Sequence, residues 1–198
     1  FAIALVIGLI MGLGRVSRNL VFRNFARFYV EVVRGIPILV LIFYVAFVAS
    51  VDVAAALGMD SRDISSQARA VAALAITYGA FLAEIFRAGI QSIGRGQMEA
   101  ARSLGMSYGQ AMRYIILPQA VRNVLPALGN DFISMLKDSS LVSVLAVRDI
   151  TQVARLHAGS TFRFREAYTV LALLYLSMTL VLSSLVQWIE RRLHVSQK

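Results

Sequence analysis

Long uninterrupted runs of apolar residues constrain this chain more than any other feature of its sequence. A helix needs about 20 consecutive apolar residues to cross the hydrocarbon core of a bilayer. Candidate spans lie in 1–13, 36–56, 68–88, 124–147 and 167–188. The chain is 58% hydrophobic and only 16% charged, whereas ordinary soluble domains are about a quarter charged. The sequence therefore predicts an all-α, polytopic membrane protein with five transmembrane helices in a single domain over 1–198.

The first of these runs is shorter than the others. Its apolar residues are too few to cross a bilayer, and it lacks the basic segment and the small-residue cleavage site of a signal peptide. We therefore expect 1–13 to be the later part of a transmembrane helix that begins before Phe1.

Basic residues are divided unevenly between the loops, and this division predicts the orientation of the chain. Cytoplasmic loops of membrane proteins carry an excess of Lys and Arg. Thirteen basic residues lie between spans one and two, between spans three and four, and after span five, whereas six lie in the other two loops. We expect the N-terminus outside, the C-terminus in the cytoplasm and 148–166 as a periplasmic loop. The loops account for the net charge of +9, so we expect no nucleic-acid binding.

Several kinds of chemistry are disfavoured by the residue types that the sequence lacks. There is no cysteine and there are only two histidines, which argues against a metal site or a histidine-based catalytic triad. There is no GxxxxGK[ST] segment to hold the phosphates of ATP. We therefore expect a non-enzymatic chain that has no metal or cofactor of its own.

Small residues and one charged pair predict close contacts between helices. Gly8 and Gly12 form one row at a spacing of four, and Ala75, Gly79 and Ala83 form a second. Such rows allow helices to approach closely in lipid, either within one chain or between two copies. Near the end of the third span, Glu84 lies three residues before an arginine, which predicts an ion pair on one helix face.

The loop between the third and fourth spans is too long for a simple connection. Its pattern predicts two short helices, over 95–104 and 108–116. Gly105 stands where a left-handed residue ends the first helix, and Ser107 with Gln110 forms a capping box that begins the second. This loop is therefore expected to be an ordered helix–turn–helix on the cytoplasmic face.

Two prolines suggest where the second short helix ends and the fourth span begins. Pro118 is expected to stop the helix, because the residue before a proline, Leu117, is disfavoured in the helical conformation. Pro126 suits the first turn of the following transmembrane helix.

The same loop carries a motif of a known family. Its sequence is EAA, three residues, Gly, nine residues and then I-x-L-P, with Glu99, Ala100, Ala101 and Gly105 as its first fixed positions. It resembles the EAA motif of permease subunits of binding-protein-dependent ABC importers. The resemblance implies that 94–118 is a cytoplasmic coupling segment that docks on a separate ATPase, with these four residues at its centre.

Three further segments, 29–37, 83–90 and 136–143, are similar to the polar amino-acid permeases within that family. The resemblance implies a type I importer-like fold in a bacterial inner membrane, and uptake of polar amino acids by alternating access. It also implies three partners: ATPase subunits that bind ATP and Mg, a second permease that is identical or paralogous, and a substrate-binding protein. The alternatives are a permease for another small polar solute and an ion-coupled secondary transporter.

Charged residues inside the fourth span predict either a substrate path or an internal brace. Asp131, Ser134 and Asp138 are spaced to lie on one helix face, with Lys137 about 100° from Asp138 and Ser139 just after it. Burying these charges in a bilayer costs about 2.5–3.5 kcal/mol each. In one interpretation the two aspartates contact the amino group of a substrate and Lys137 contacts its carboxylate. In the other, Lys137 and Asp138 neutralise each other beside a helix break at Ser139.

Overall fold

The computed structural model describes residues 1–195, and these residues form ten α-helices with no β-strand among them. The α-helices, in chain order, are α1 Ala2–Val16, α2 Leu20–Gly35, α3 Ile38–Tyr44, α4 Ser50–Ala56, α5 Ser66–Gln91, α6 Arg95–Ser103, α7 Tyr108–Ala111, α8 Leu117–Asp138, α9 Ile150–Thr161 and α10 Phe164–Val195. Short π-helical turns, Val45–Ala49 and Met112–Ile116, connect α3 to α4 and α7 to α8. The predicted all-α class is confirmed.

Helix α5 is the centre of the bundle. It packs against α1, α2, α3 and α8, and the 3-10 helix Ser139–Leu145 also touches it. In its most apolar stretch 61% of residues are buried, whereas none are buried in the corresponding stretch of α10. The last helix packs on α8 and α9 only along one side. The chain therefore has one buried central helix and an outer helix with a wide apolar surface.

Small residues allow α1 to lie directly against α5. A β-carbon built on Gly8 would lie 2.5 Å from Cβ of Leu82, and one on Gly12 would lie 2.7 Å from Cβ of Phe86. From the other side, a β-carbon on Gly79 would lie 2.6 Å from a side-chain carbon of Ile7. Both predicted rows of small residues are thus used in one internal contact between α1 and α5.

Glu84 of α5 joins the first, second and fifth helices through three arginines. Its carboxylate lies 2.6 Å from Arg15 of α1, 2.5 Å from Arg87 of its own helix and 3.9 Å from Arg34 of α2. The side chains of Glu84 and Arg15 are 25% and 16% exposed. The predicted pair of Glu84 with Arg87 is confirmed, and two more arginines share the same carboxylate.

Arg69 of α5 joins the loop between α4 and α5 to the middle of the second span. Its guanidinium donates hydrogen bonds to the carbonyl oxygens of Ala46, Ser61 and Ile64. Ser50 also donates to the Ala46 carbonyl, at 2.7 Å, within the π-helical turn. A π-helical turn leaves carbonyl groups without their usual helical donors, and these side chains supply replacements.

Helices occupy all five predicted spans, but only three are long and apolar enough to cross a membrane by length and composition: Ile38–Ala56, Ser66–Gln91 and the described part of the last helix. Helix α1 has only 15 residues, and α8 contains the charged residues of the fourth span. The predicted fourth span, 124–147, is wrong in its limits. Helix α8 begins at Leu117 and ends at Asp138, and the chain then forms a 3-10 helix up to Leu145.

We predict that Gly8→Ala destabilises the protein. The added methyl group would overlap Cβ of Leu82, and overpacking of this kind costs about 1–3 kcal/mol. Thermal unfolding in detergent, followed by size-exclusion chromatography, measures the effect. Gly35→Ala is the matched control, because a β-carbon there meets nothing within 4 Å. Equal melting temperatures for the two variants would contradict the proposed contact.

We also predict that Glu84→Gln destabilises the protein more than Glu31→Gln. The first change leaves half-buried arginines without their shared carboxylate, which costs about 3 kcal/mol when a buried pair is broken. Glu31 instead pairs with Arg27 at the surface, where both side chains are more than 60% exposed, and such pairs contribute less than about 1 kcal/mol. Thermal unfolding of both variants tests the difference, and a larger loss in Glu31→Gln would refute it.

Candidate functional site

The turn after α6 has the geometry that the sequence predicts. Gly105 adopts a left-handed conformation with φ of +82°, which costs a residue with a β-carbon about 1–2 kcal/mol. The amide of Gly105 donates to the carbonyl of Arg102 at 3.0 Å, and the amide of Met106 donates to that of Ala101 at 3.2 Å. These bonds satisfy carbonyl groups at the end of α6 and reverse the chain within a few residues.

The capping box that begins α7 is also present. The Ser107 hydroxyl accepts from the amide of Gln110 at 3.2 Å, and the Gln110 side chain accepts from the amide of Ser107 at 2.8 Å. In addition, the guanidinium of Arg18, from the turn between α1 and α2, lies 4.5 Å from the ring centre of Tyr108. The segment 94–118 is therefore held in one shape by its own caps and by a contact with the α1–α2 turn.

The motif residues of this segment differ in their exposure. Glu99 and Ala100 are exposed, whereas Ala101 is buried, with 4% of its surface accessible. Beside them is a hollow of about 350 Å³ lined by Leu104, Gly105, Met106, Gln110 and Tyr114. Leu104 is 83% exposed and Tyr114 is 61% exposed. The segment thus presents an acid, an alanine, a tight glycine turn and two large apolar side chains on its open surface.

The second short helix does not end where the sequence predicts. Leu117, just before Pro118, has helical angles, and the chain continues from the π-helical turn Met112–Ile116 directly into α8. Pro126 lies in the interior of α8 and not in its first turn. Both expectations were wrong. Pro118 is tolerated because it lies in the first turn of α8, where a missing amide donor costs little, whereas Pro126 is accommodated inside the helix, where it removes one helical hydrogen bond. One helical segment therefore runs from the coupling turn to Asp138.

A polar cluster lies where α8 packs against α5. The Tyr78 hydroxyl donates a hydrogen bond of 2.7 Å to the carboxylate of Asp138. Asp131 lies two turns earlier on α8. One of its carboxylate oxygens is inaccessible to solvent and has no hydrogen-bond partner among residues 1–195. Arg34 of α2 is close enough to act on this carboxylate electrostatically, but it forms no ion pair with it and lies 3.9 Å from Glu84 instead. The two aspartates therefore do share one face, as predicted, and that face is turned toward Tyr78.

The other predicted residues of the polar stripe lie around this cluster. Ser134 is partly buried, and the Ser139 hydroxyl donates to the carbonyl of Leu136 at 2.6 Å. Lys137 is exposed, and no ion pair in the described part of the chain joins it to Asp138. The helix break predicted at Ser139 is present. The structure thus contains the break without the neutralising pair that the second interpretation requires.

The sequence alone did not identify Tyr78 and Arg34 as members of the cluster. Tyr78 lies in the apolar pattern of α5, 60 residues before its partner Asp138. Arg34 counts among the basic loop residues, and only the packing of α2 on α5 brings it near Asp131. An aromatic hydroxyl within an apolar span was the available signal, since a buried tyrosine usually needs a hydrogen-bond partner.

The chain matches a known family over almost its whole length. The family model described as "Binding-protein-dependent transport system inner membrane component" covers residues 4–195. A probable glutamine ABC transporter permease protein of Bacillus subtilis, GlnM, is 43% identical over 171 residues, which are 85% of this chain and 74% of the relative. The glutamine transport system permease protein GlnP of Escherichia coli is 36% identical over 191 residues, covering 96% of this chain and 84% of the relative.

A solved structure has a similar fold. It is described as "Crystal structure of an amino acid ABC transporter with histidines", and its matched chain is 43% identical to this one, with a TM-score of 0.85. The match covers 96% of this chain and 86% of that chain. The chain therefore belongs to the family of binding-protein-dependent transport system inner membrane components, as the permease subunit of an ABC importer whose ATPase is a separate subunit.

Proposed function

We propose that this permease moves a polar amino acid across the bacterial inner membrane, and that the Asp131 cluster lies on the substrate path. The observation that carries the proposal is the buried Asp131 oxygen without a hydrogen-bond donor in the described structure. Buried polar groups in native proteins are nearly always satisfied, and an exception calls for an explanation. An ammonium group passing along α8 would provide the missing donor.

The polar groups around Asp131 suit the two charged ends of an amino acid. Asp131 and Asp138 offer carboxylates to the amino group, whereas Arg34 offers a planar guanidinium that can bind a carboxylate through two hydrogen bonds. Lys137, expected from the sequence to hold the carboxylate, is exposed and forms no ion pair with either aspartate in the described residues. The names of the relatives, which refer to glutamine and amino-acid transport, favour the same class of substrate.

The segment 94–118 is proposed as the surface that docks on the ATPase. Glu99, Ala100 and the turn at Gly105 are open to a partner, whereas Ala101 packs inward and lets α6 lie close to its own bundle. A second permease, identical or paralogous, completes the path, and a substrate-binding protein delivers the cargo from the periplasm. The excess of basic residues supports a cytoplasmic location for this segment, with the N-terminus outside.

The helical continuity from α7 to α8 supports a mechanism for transmitting force. Residues 108–138 span roughly 45 Å at 1.5 Å per residue, with the coupling turn at one end and Asp138 at the other. When the ATPases close, the coupling segments of the two permeases are drawn together. A movement of the turn at Gly105 then tilts the whole of α8 and carries its two aspartates from one side of the path to the other.

We predict that Gly105→Val abolishes coupled transport while the protein still inserts into membranes. The left-handed turn disfavours a β-branched residue, and the resulting strain of about 1–2 kcal/mol would displace the docking surface. The measurement is ATP-driven uptake, and substrate-stimulated ATPase activity, of the importer in proteoliposomes with its binding protein. We expect both rates to fall by about tenfold or more.

Gly159→Val is the matched control for this change, because Gly159 lies in open space on α9, far along the chain from the coupling turn. Unaltered ATPase stimulation in the Gly105 variant would refute the docking surface. The same proteoliposomes test the rival mechanism. Uptake that continues without ATP and stops when an ionophore collapses the ion gradient would identify a secondary transporter instead.

We predict that Asp131→Asn slows uptake of the amino-acid substrate by about tenfold or more, since a hydrogen bond to a charged group contributes about 1.5–3 kcal/mol. Asp52→Asn is the control, because Asp52 is an exposed acid of the second span, outside the cluster on α5 and α8. A panel of amino acids, each supplied with the binding protein, measures rate and specificity. Unchanged rate and specificity in Asp131→Asn would exclude Asp131 from the substrate path.

A further inference from the structure

A second polar cavity lies apart from both the coupling segment and the Asp131 cluster. Its volume is about 340 Å³, and it is lined by Arg15, Arg23, Asn24, Arg27, Arg87 and Gln91. These residues come from the end of α1, the first half of α2 and the last turns of α5. The lining contains four arginines and no carboxylate, so the cavity has the composition of an anion site.

The charge of this cavity is only partly neutralised by its surroundings. Glu84 pairs with Arg15 and Arg87, and Glu31 pairs with Arg27 at 3.2 Å. Arg23 belongs to no ion pair in the part of the chain that the structure describes. The four positive charges of the arginines are therefore balanced by only two carboxylates, Glu84 and Glu31. The excess charge attracts an anion, and arginine is well suited to a phosphate because its guanidinium can donate two parallel hydrogen bonds.

Helix α2, which lines the cavity, has a buried apolar row and a separate exposed apolar row. Ala26, Val30 and Val33 are buried against the bundle. A different row, Val21, Phe25, Phe28 and Val32, is exposed by 80%, 57%, 67% and 41%. With 3.6 residues per turn, this apolar row lies about 150° from the row that contains the arginines of α2. A helix with one exposed apolar row and one basic row lies at the boundary between lipid and water.

We propose that this cavity binds the phosphate of an anionic phospholipid, with the lipid's acyl chains along the exposed apolar row of α2. Two independent features point to this occupant: an arginine-lined cavity with unneutralised charge, and a surface of large exposed apolar side chains on the opposite side of the same helix. A soluble phosphate would use the first feature and leave the second without a function. The proposal uses none of the residues assigned to substrate or to the ATPase, and it holds for any cargo that the permease carries.

Native mass spectrometry of the full-length permease, purified with its ATPase, tests the proposal. The complex is exchanged into mixtures of phosphatidylglycerol and phosphatidylcholine, and the retained lipid is counted. We expect the wild type to prefer phosphatidylglycerol. The double variant Arg23→Gln/Arg27→Gln should lose about 25-fold in this preference, since each basic residue near an anionic surface contributes a factor of about five. Arg23→Lys/Arg27→Lys, which keeps the charge but not the paired donors, should retain an intermediate amount.

The control variant, Arg163→Gln/Arg165→Gln, removes two exposed arginines from the other end of the bundle and should retain lipid as the wild type does. If both glutamine variants lost the same amount of phosphatidylglycerol, the preference would depend only on the net charge of the protein, and the proposed site would be overturned. Unchanged retention in Arg23→Gln/Arg27→Gln would also overturn it. Displacement of the lipid by inorganic phosphate would assign the cavity to a soluble anion. Dissociation of the ATPase with lipid retained would make the cavity a partner contact.

Discussion

The close approach of α1 to α5 is the contact on which the rest of the bundle depends. In lipid, helices gain little from the hydrophobic effect on associating, and tight van der Waals packing must hold them together. Gly8 and Gly12 allow the backbone of α1 to lie so close to Leu82 and Phe86 that a methyl group added at either glycine would overlap them. Because α1 lies so close, Arg15 at its end reaches Glu84. The same carboxylate lies 3.9 Å from Arg34 of α2. The contact between α1 and α5 therefore also helps to position α2.

Polar side chains inside the bundle fall into two groups with different purposes. Glu84, Tyr29 and Arg69 all have partners: three arginines, the carbonyl of Ile76 and three loop carbonyls. Each of these bonds joins two elements of the chain. Asp131 differs, because one of its oxygens has no donor within residues 1–195. Asp149 and Gln152, at the start of α9, also have a buried oxygen without a partner in the described residues. The unpaired oxygen of Asp131 therefore supports the proposed substrate path together with its position on the face of α8 that carries Asp138 and meets Tyr78.

The caps of the coupling segment were predicted correctly from local sequence, whereas the effects of its prolines and the contacts between distant residues were not. Gly105, Ser107 and Gln110 act within a few residues of one another, and the turn they predict is present in every detail of its hydrogen bonding. The helix end predicted at Pro118 failed because a π-helical turn lies just before it. The bond between Tyr78 and Asp138 was not predicted, because it depends on how α5 and α8 pack, although a hydroxyl in an apolar span indicates that a partner is needed.

The failure at Pro118 changes how the two proposed sites relate. If the helix had ended there, the coupling segment would be a separate bracket, and its movement would reach the membrane through a flexible joint. The observed chain is helical throughout 108–138, with a π-helical turn at Met112–Ile116 and a proline inside α8. Arg18, stacked on Tyr108, also ties the start of this helix to the α1–α2 turn. In the proposed mechanism a displacement of the coupling turn moves α8 against α5, with the π-helical turn and Pro126 as the points where this segment can bend. Tyr78 on α5 marks where its aspartates would shift.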